Sequence, residues 1–184
     1  ALSSAASDVY KRQGESLAVK LSDFADVSER IQYLVTQVEE ITKIDNFGAY
    51  LTAMLEIDAF FMNEDRHTNN IAVIYNEKTQ KYELSPFFDQ GLCMFADINQ
   101  DYPIDQSLEY CLEKIEAKPF SSDFDIQLDA AEELYGIQIG FQFTFKDIQI
   151  YLQKNSENYP REVIRRVEQL LRGQMRKYGY LMKK

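Results

Sequence analysis

The chain has 184 residues and a formal net charge of −10, and 45% of its residues are hydrophobic, including 12 Phe and 12 Tyr. This composition favours an ordered globular domain over a disordered chain. The negative charge argues against a general affinity for nucleic acid, whose phosphates require clustered cations. No apolar run approaches the roughly 20 residues that span a bilayer. We therefore expect neither nucleic acid nor a membrane as a direct partner.

The chain contains few residues of the kinds that bind soft metals. Cys93 and Cys111 are its two cysteines, too few for a disulfide framework or a zinc site. We expect each to behave as a small buried hydrophobe in a reducing, cytoplasmic environment. His67 is the single histidine, which excludes a site with several histidine ligands.

The first residues differ in character from the rest. Residues 3–13 read SSAASDVYKRQ and match the in-frame translation of a transposase adapter used to build sequencing libraries. The alternative is a natural tail rich in serine and alanine. Artefactual segments are set aside before a fold is considered. We therefore expect residues 1–13 to be an adapter-like artefact, residues 14–184 to form one domain, and the native protein to be longer at its N-terminus.

Two helices are predicted next. Asp26 and Glu29 are placed like a capping box, and apolar residues then recur at helical spacing, which predicts a helix over residues 27–43. A second helix is predicted over residues 47–61. Its apolar residues lie on more than one side, as in a central helix buried within a lobe.

A polar run follows the second helix and carries the clearest chemical signal. Residues 63–70 read NEDRHTNN, with Asp65 five positions before Asn70, and Asp89 follows a hydrophobic stretch. Phosphoryl transfer from ATP uses such an inventory: one carboxylate orients the attacking hydroxyl, while an amide oxygen and a second carboxylate hold Mg²⁺. Short runs rich in Asn and Asp are also common in ordinary loops. The context therefore has to decide between the two interpretations.

The context is a predicted β-hairpin. Residues 71–75 are β-branched and aromatic, residues 76–79 are typical of a turn, and residues 80–84 alternate like a second strand. A loop with Asp65 and Asn70 would thus lead into a hairpin that delivers Asp89.

The remainder is predicted to be mainly helical. Residues 92–104 are irregular, and residues 137–145 are expected to be a loop despite some alternation. Further helices are predicted over residues 108–115, 124–135 with Gly136 as its C-terminal cap, and 148–152, and a last helix has Pro160 in its first turn. The fold class is therefore mostly α with one small β-hairpin.

The motif resembles a known family. Asn63-x-Asp65-x-His67-x-x-Asn70, with the segment Leu84-Ser85-Pro86-Phe87-Phe88-Asp89, is similar to the HipA-like kinases, and the D-R-H-x-x-N pattern also resembles the lipid kinases. The resemblance is specific over residues 47–92 and weaker elsewhere. It implies a protein-kinase-like C-terminal lobe without its N-terminal lobe. It also implies residues 92–104 as the counterpart of an activation segment, although an ordinary connecting loop is an equal alternative.

The resemblance assigns roles to four residues. It implies Asp65 as the catalytic base, with His67 bracing the loop or assisting catalysis, and Asn70 and Asp89 as the ligands of Mg²⁺ and, through it, of ATP. Lys20 superficially resembles the strand lysine of a kinase, but no glycine-rich loop precedes it, and a linker residue is favoured.

The expected function is an ATP- and Mg²⁺-dependent kinase that phosphorylates a protein serine or threonine. A lipid or small-molecule acceptor, and a non-catalytic kinase-fold module, remain alternatives. Without a glycine-rich loop and its lysine, we expect this chain alone to be inactive. The last 26 residues carry eight basic and two acidic side chains. This basic end could contact an external partner, but packing against the acidic body is favoured.

Overall fold

The computed structural model describes residues 21–183, which are mostly helical with one small antiparallel sheet. Within this range the α-helices are α1 (Val27–Thr42), α2 (Phe47–Phe61), α3 (Leu108–Lys114), α4 (Phe124–Tyr135), α5 (Phe145–Lys154) and α6 (Arg161–Lys177). The strands are β1 (Val73–Asn76) and β2 (Lys81–Leu84), and short 3₁₀ turns span Thr68–Asn70 and Gly179–Leu181. The predicted fold class is confirmed at this level.

Helix α2 is the central element of the fold. Its first two turns pack in one hydrophobic core with α1, β1 and α4, and its last turn packs in a second core with α3, α5 and α6. The close contact between α2 and α4 requires Gly48, because a Cβ atom there would lie 2.4 Å from the ring of Tyr135. The prediction of a helix buried on several sides is confirmed.

Helix ends follow their capping chemistry. The Asp26 side chain accepts a hydrogen bond from the Glu29 amide and begins α1, while Lys43 ends it in the left-handed conformation. Gly136, with a φ of 76°, caps α4 as predicted. Pro160 was predicted in the first turn of the last helix, but it is the N-cap of α6, which begins at Arg161.

Helix α5 is longer than the sequence predicted. It spans ten residues in place of the predicted segment 148–152. The prediction was too short because Thr144 and Asp147 form a capping box, in which Asp147 Oδ2 also accepts from the Thr144 amide at 2.7 Å. This box starts the helix at Phe145, ahead of the apolar residues from Ile148 onward on which the prediction rested.

The hairpin is present with shifted ends. Val73 pairs with Leu84 and Asn76 pairs with Lys81, so the turn lies at residues 77–80, one position later than predicted. Ile71 and Ala72 are buried but precede β1. Residues 137–144 form a loop, as predicted, in which Phe141 makes a single parallel bridge with Met182.

The structure bears on some of the remaining predictions about organisation and not on others. The adapter-like residues 1–13 and Lys20 lie outside the described residues. No helix within residues 21–183 is long and apolar enough to cross a membrane. The basic helix α6 packs on the body of the protein, where Lys177 Nζ lies 2.6 Å from Asp125 Oδ2.

Candidate functional site

The candidate site is built on the motif loop, which we define as residues 63–72, between α2 and β1. Its foundation is a buried ion pair: Arg66 Nε donates to Asp58 Oδ2 at 2.6 Å and Nη2 donates to Oδ1 at 3.0 Å. Both side chains are fully buried. Asn63 adds a hydrogen bond from Nδ2 to Asp58 Oδ1 at 2.8 Å. The last turn of α2 therefore anchors the loop through charge-assisted bonds.

The pair balances opposing electrostatic effects. Burial raises the pKa of Asp58 above its usual value, and the hydrogen bonds and charge of Arg66 oppose that rise. Loss of either side chain would leave the other as an isolated buried charge.

Arg66 also joins the loop to the segment after the hairpin. Its Nη1 donates to the carbonyl oxygens of Asn70 at 2.9 Å and of Phe88 at 3.0 Å. Phe88 directly precedes Asp89. One guanidinium group thus fixes the end of the motif loop relative to the residue that carries the second carboxylate.

Hydrogen bonds within the motif loop hold Asp65, His67 and Asn70 relative to one another. The Asp65 carbonyl accepts from the His67 amide at 2.8 Å and from Asn70 Nδ2 at 2.9 Å. Asn70 is almost fully buried. Its amide nitrogen thus braces the loop at Asp65, which leaves its side-chain oxygen as the atom that could bind a cation.

The structure brings three of the four predicted site residues into one cluster. Asp65, His67 and Asp89 each offer a ligand atom, and these atoms lie within 4.8 Å of one another. His67 Nε2 lies 3.9 Å from Asp65 Oδ2. Asp65 and His67 are half-buried and Asp89 is exposed. The cluster is therefore open to a ligand from solvent.

Two local features of the cluster concern the Asp89 backbone and the His67 ring. Asp89 has a φ of 57° and is one of six described non-glycine residues with a positive φ, a left-handed conformation that aspartate adopts more readily than most residues. His67 Nδ1 is buried and has no hydrogen-bond partner among the residues that the structure describes. Backbone strain and unpaired buried polar atoms both concentrate at functional sites.

Sequence reasoning missed two residues of this site. Asp58 could have been found, because a charged residue within the apolar helix α2 signals a buried partner. Lys118 could not: its Nζ lies 3.8 Å from Asp65 Oδ1, but it comes from the distant loop before α4, and its local sequence carries no motif.

Directly after Asp89 of the cluster, an irregular segment leads to α3. We define this segment as residues 90–107. Its Tyr102 hydroxyl is hydrogen-bonded to the Glu64 carboxylate of the motif loop. Burial raises the pKa of both side chains, and their mutual bond raises that of Tyr102 further. Arg166 of α6 holds the same segment by donating to the carbonyl oxygens of Tyr102, Pro103 and Gln106.

Comparison with protein-family models, with curated proteins and with solved structures found no match to this chain. The function therefore has to be argued from the site itself.

Proposed function

We propose that the chain is the C-terminal catalytic lobe of an ATP- and Mg²⁺-dependent kinase of the HipA-like type, which phosphorylates a protein serine or threonine. The observation that carries the proposal is the connection made by Arg66, which ties the motif loop to the residue before Asp89. Phosphoryl transfer depends mainly on positioning and charge neutralisation. A buried guanidinium that fixes two catalytic segments relative to each other supports such a reaction.

In this proposal Asp65 is the catalytic base. Its carboxylate is half-buried, so it can reach an acceptor hydroxyl while its backbone is held by His67 and Asn70. It would orient the hydroxyl and accept its proton as the new oxygen–phosphorus bond forms and the bond from the γ-phosphorus to ADP breaks. His67 keeps the loop in place through its amide, and its imidazole shares the carboxylate cluster.

Asp89 and Asn70 are the proposed metal ligands, with His67 as a further candidate. When bound, Mg²⁺ would neutralise charge on the phosphates of ATP. The carboxylate and amide oxygens suit Mg²⁺ and Mn²⁺, whereas imidazole is more typical of transition metals. The donor set therefore fits a hard divalent cation, and Mn²⁺ is a suitable probe because it tolerates both kinds of ligand.

A second candidate is a kinase-fold module that binds a cation or a partner without catalysis. It is favoured by one observation: the sheet described within residues 21–183 has only two strands, and no glycine-rich phosphate loop occurs in this range. A kinase needs such a loop and its lysine to hold the phosphates. Acceptors other than protein, including lipids and small molecules, belong to the same catalytic proposal.

The metal site is tested by titration with Mn²⁺, in which the electron paramagnetic resonance signal of the free ion measures how much Mn²⁺ is bound. We expect saturable binding that is at least tenfold weaker in Asp89→Asn and in Asn70→Ala, because each change weakens or removes one of the two proposed oxygen ligands. Asp129→Asn, at an exposed position on α4, is the matched control and should bind as the wild type does. Equal Mn²⁺ affinity in all four proteins would refute the proposed site.

Transfer of radiolabelled phosphate from ATP separates the two candidates. The assay uses a form of this protein that also contains a phosphate-binding loop. In that form, Asp65→Ala should abolish transfer but retain nucleotide binding. Asp89→Ala should abolish metal-dependent nucleotide binding. Cation binding without transfer in that wild-type protein would favour the non-catalytic module.

A further inference from the structure

A pocket of about 280 Å³ opens beside the carboxylate cluster. It lies where α1, the motif loop and the loop before α4 meet, and its polar lining consists of Ser22, Arg30, His67, Thr68 and Lys118. The pocket shares His67 with the cluster, and Lys118 reaches from it to Asp65. A ligand bound here would therefore lie next to the proposed catalytic base.

The two cations of this pocket stand out against an acidic protein with a net charge of −10. Arg30 Nε and Nη1 donate to the carbonyl oxygens of Phe24 and Phe120, both at 2.8 Å. These acceptors are neutral, so they orient the guanidinium without cancelling its charge.

Lys118 is held in place by its backbone while its ammonium group remains accessible. The Lys118 carbonyl accepts from Gln127 Nε2 of α4 at 3.2 Å, and the neighbouring Phe120 carbonyl is the acceptor for Arg30. The Lys118 side chain is 52% exposed. Its 3.8 Å distance from Asp65 is too long for a hydrogen bond, so its three donors are not consumed by that contact.

We propose that this pocket binds a phosphate group, with Lys118 and Arg30 as the cationic contacts. A guanidinium oriented by hydrogen bonds and an accessible ammonium group, beside hydroxyl and imidazole side chains, match the charge and the acceptor oxygens of a phosphate. The choice of phosphate over another oxyanion rests on the proposed kinase function. The phosphate belongs either to the nucleotide or to an acceptor that already carries one, and in both cases Lys118 holds it beside Asp65.

Titration with inorganic phosphate in the absence of divalent cations tests the pocket directly. At constant ionic strength set by chloride, we expect saturable changes in the amide NMR signals of residues 67–68, 117–118 and 120. Lys118→Met should weaken phosphate binding at least tenfold, and Lys118→Arg should restore most of it. Lys78→Met, at an exposed position in the hairpin turn, is the matched control and should leave the affinity unchanged. Signals that do not respond, or equal affinities in Lys118→Met and the wild type, would overturn the proposal.

The two proposals fail in distinguishable ways. Lys118→Met should retain its affinity for Mn²⁺, because it removes no metal ligand. Phosphate binding that persists in a chain unable to bind Mn²⁺ would support the pocket and remove the kinase proposal. Mn²⁺ binding without phosphate binding would support the metal site of the kinase proposal and remove the phosphate pocket.

Competition identifies the source of the phosphate. Displacement of inorganic phosphate by ATP, with weaker ATP binding in Lys118→Met, would assign the pocket to the nucleotide. Displacement by O-phosphoserine but not by ATP would assign it to a phosphorylated acceptor. If neither ligand displaces phosphate, the pocket does not bind a biological phosphate group and the proposal is wrong.

Discussion

The motif loop and the 90–107 segment are both irregular, and each is held by a different buried arginine. Arg66 belongs to the loop that it holds and pairs with Asp58, eight residues earlier. Arg166 belongs to α6, about 60 residues after the carbonyl oxygens that it binds in the 90–107 segment. The first support is therefore local and ionic, and the second is remote and made to neutral acceptors.

This difference shows how the two segments are stabilised. The motif loop can keep its shape as a unit with the end of α2, because its buried ion pair, Arg66 with Asp58, forms within that unit. The 90–107 segment depends on how α6 packs against the rest of the protein. The bond between Tyr102 and Glu64 is the direct link between the two segments.

Removing the counter-charge of Arg66 is the strongest test of the local support. Asp58→Ala should lower the free energy of unfolding by about 3–5 kcal/mol, because it leaves a fully buried guanidinium without a counter-charge. Urea denaturation measures this effect. The double variant Asp58→Ala/Arg66→Met should lose less than the sum of its two single variants, because no lone charge remains buried. A loss below about 1 kcal/mol in Asp58→Ala would show that the pair does not anchor the loop.

Removing the remote support should cost less and should spare the site. Arg166→Met should lower the free energy of unfolding by about 1–3 kcal/mol, because the buried Tyr102 carbonyl loses its donor. Its affinity for Mn²⁺ should remain that of the wild type. Arg165→Met, at the adjacent exposed position, should change stability by no more than about 0.5 kcal/mol. A weaker Mn²⁺ site in Arg166→Met would show that the two segments are coupled.

The smallest expected effect concerns the strain at Asp89, where the two segments adjoin. Asp89→Gly should be more stable than Asp89→Ala by about 1 kcal/mol, because glycine adopts the φ of 57° without steric cost. Thermal and urea unfolding measure the difference, and both variants should lose Mn²⁺ binding. At the adjacent Gln90 the order should reverse, with alanine more stable than glycine. The same order at both positions would contradict a strained backbone at Asp89.

Most of the secondary structure could be predicted because its signals are local. The apolar spacing of α1, α2, α4 and α6 and the caps at Asp26 and Gly136 all lie within a few residues of the elements they define. The start of α5 was missed because its capping box precedes the apolar residues on which the prediction relied.

The candidate site was predictable in its inventory but only partly in its contacts. The motif identified Asp65, His67, Asn70 and Asp89, and the structure places the two aspartates and the histidine together. The motif could not show that the Asn70 side-chain nitrogen would donate to the Asp65 carbonyl, or that Asp89 would adopt a left-handed backbone. Both depend on how the motif loop packs against the segment that contains Phe88, to which Arg66 joins it.

The sequence by itself determined the mostly helical class, the hairpin and the identity of the motif residues, because periodicity, capping and turn formation act over short stretches of chain. Only the tertiary structure decided which distant groups meet: Lys118 with Asp65, Arg166 with the 90–107 segment, and Glu56 of α2 with the amides of Gln138 and Ile139. The contacts of Arg166 and Glu56 satisfy buried charges and backbone groups that no neighbour in sequence can reach. Their partners are fixed only when the two cores pack around α2.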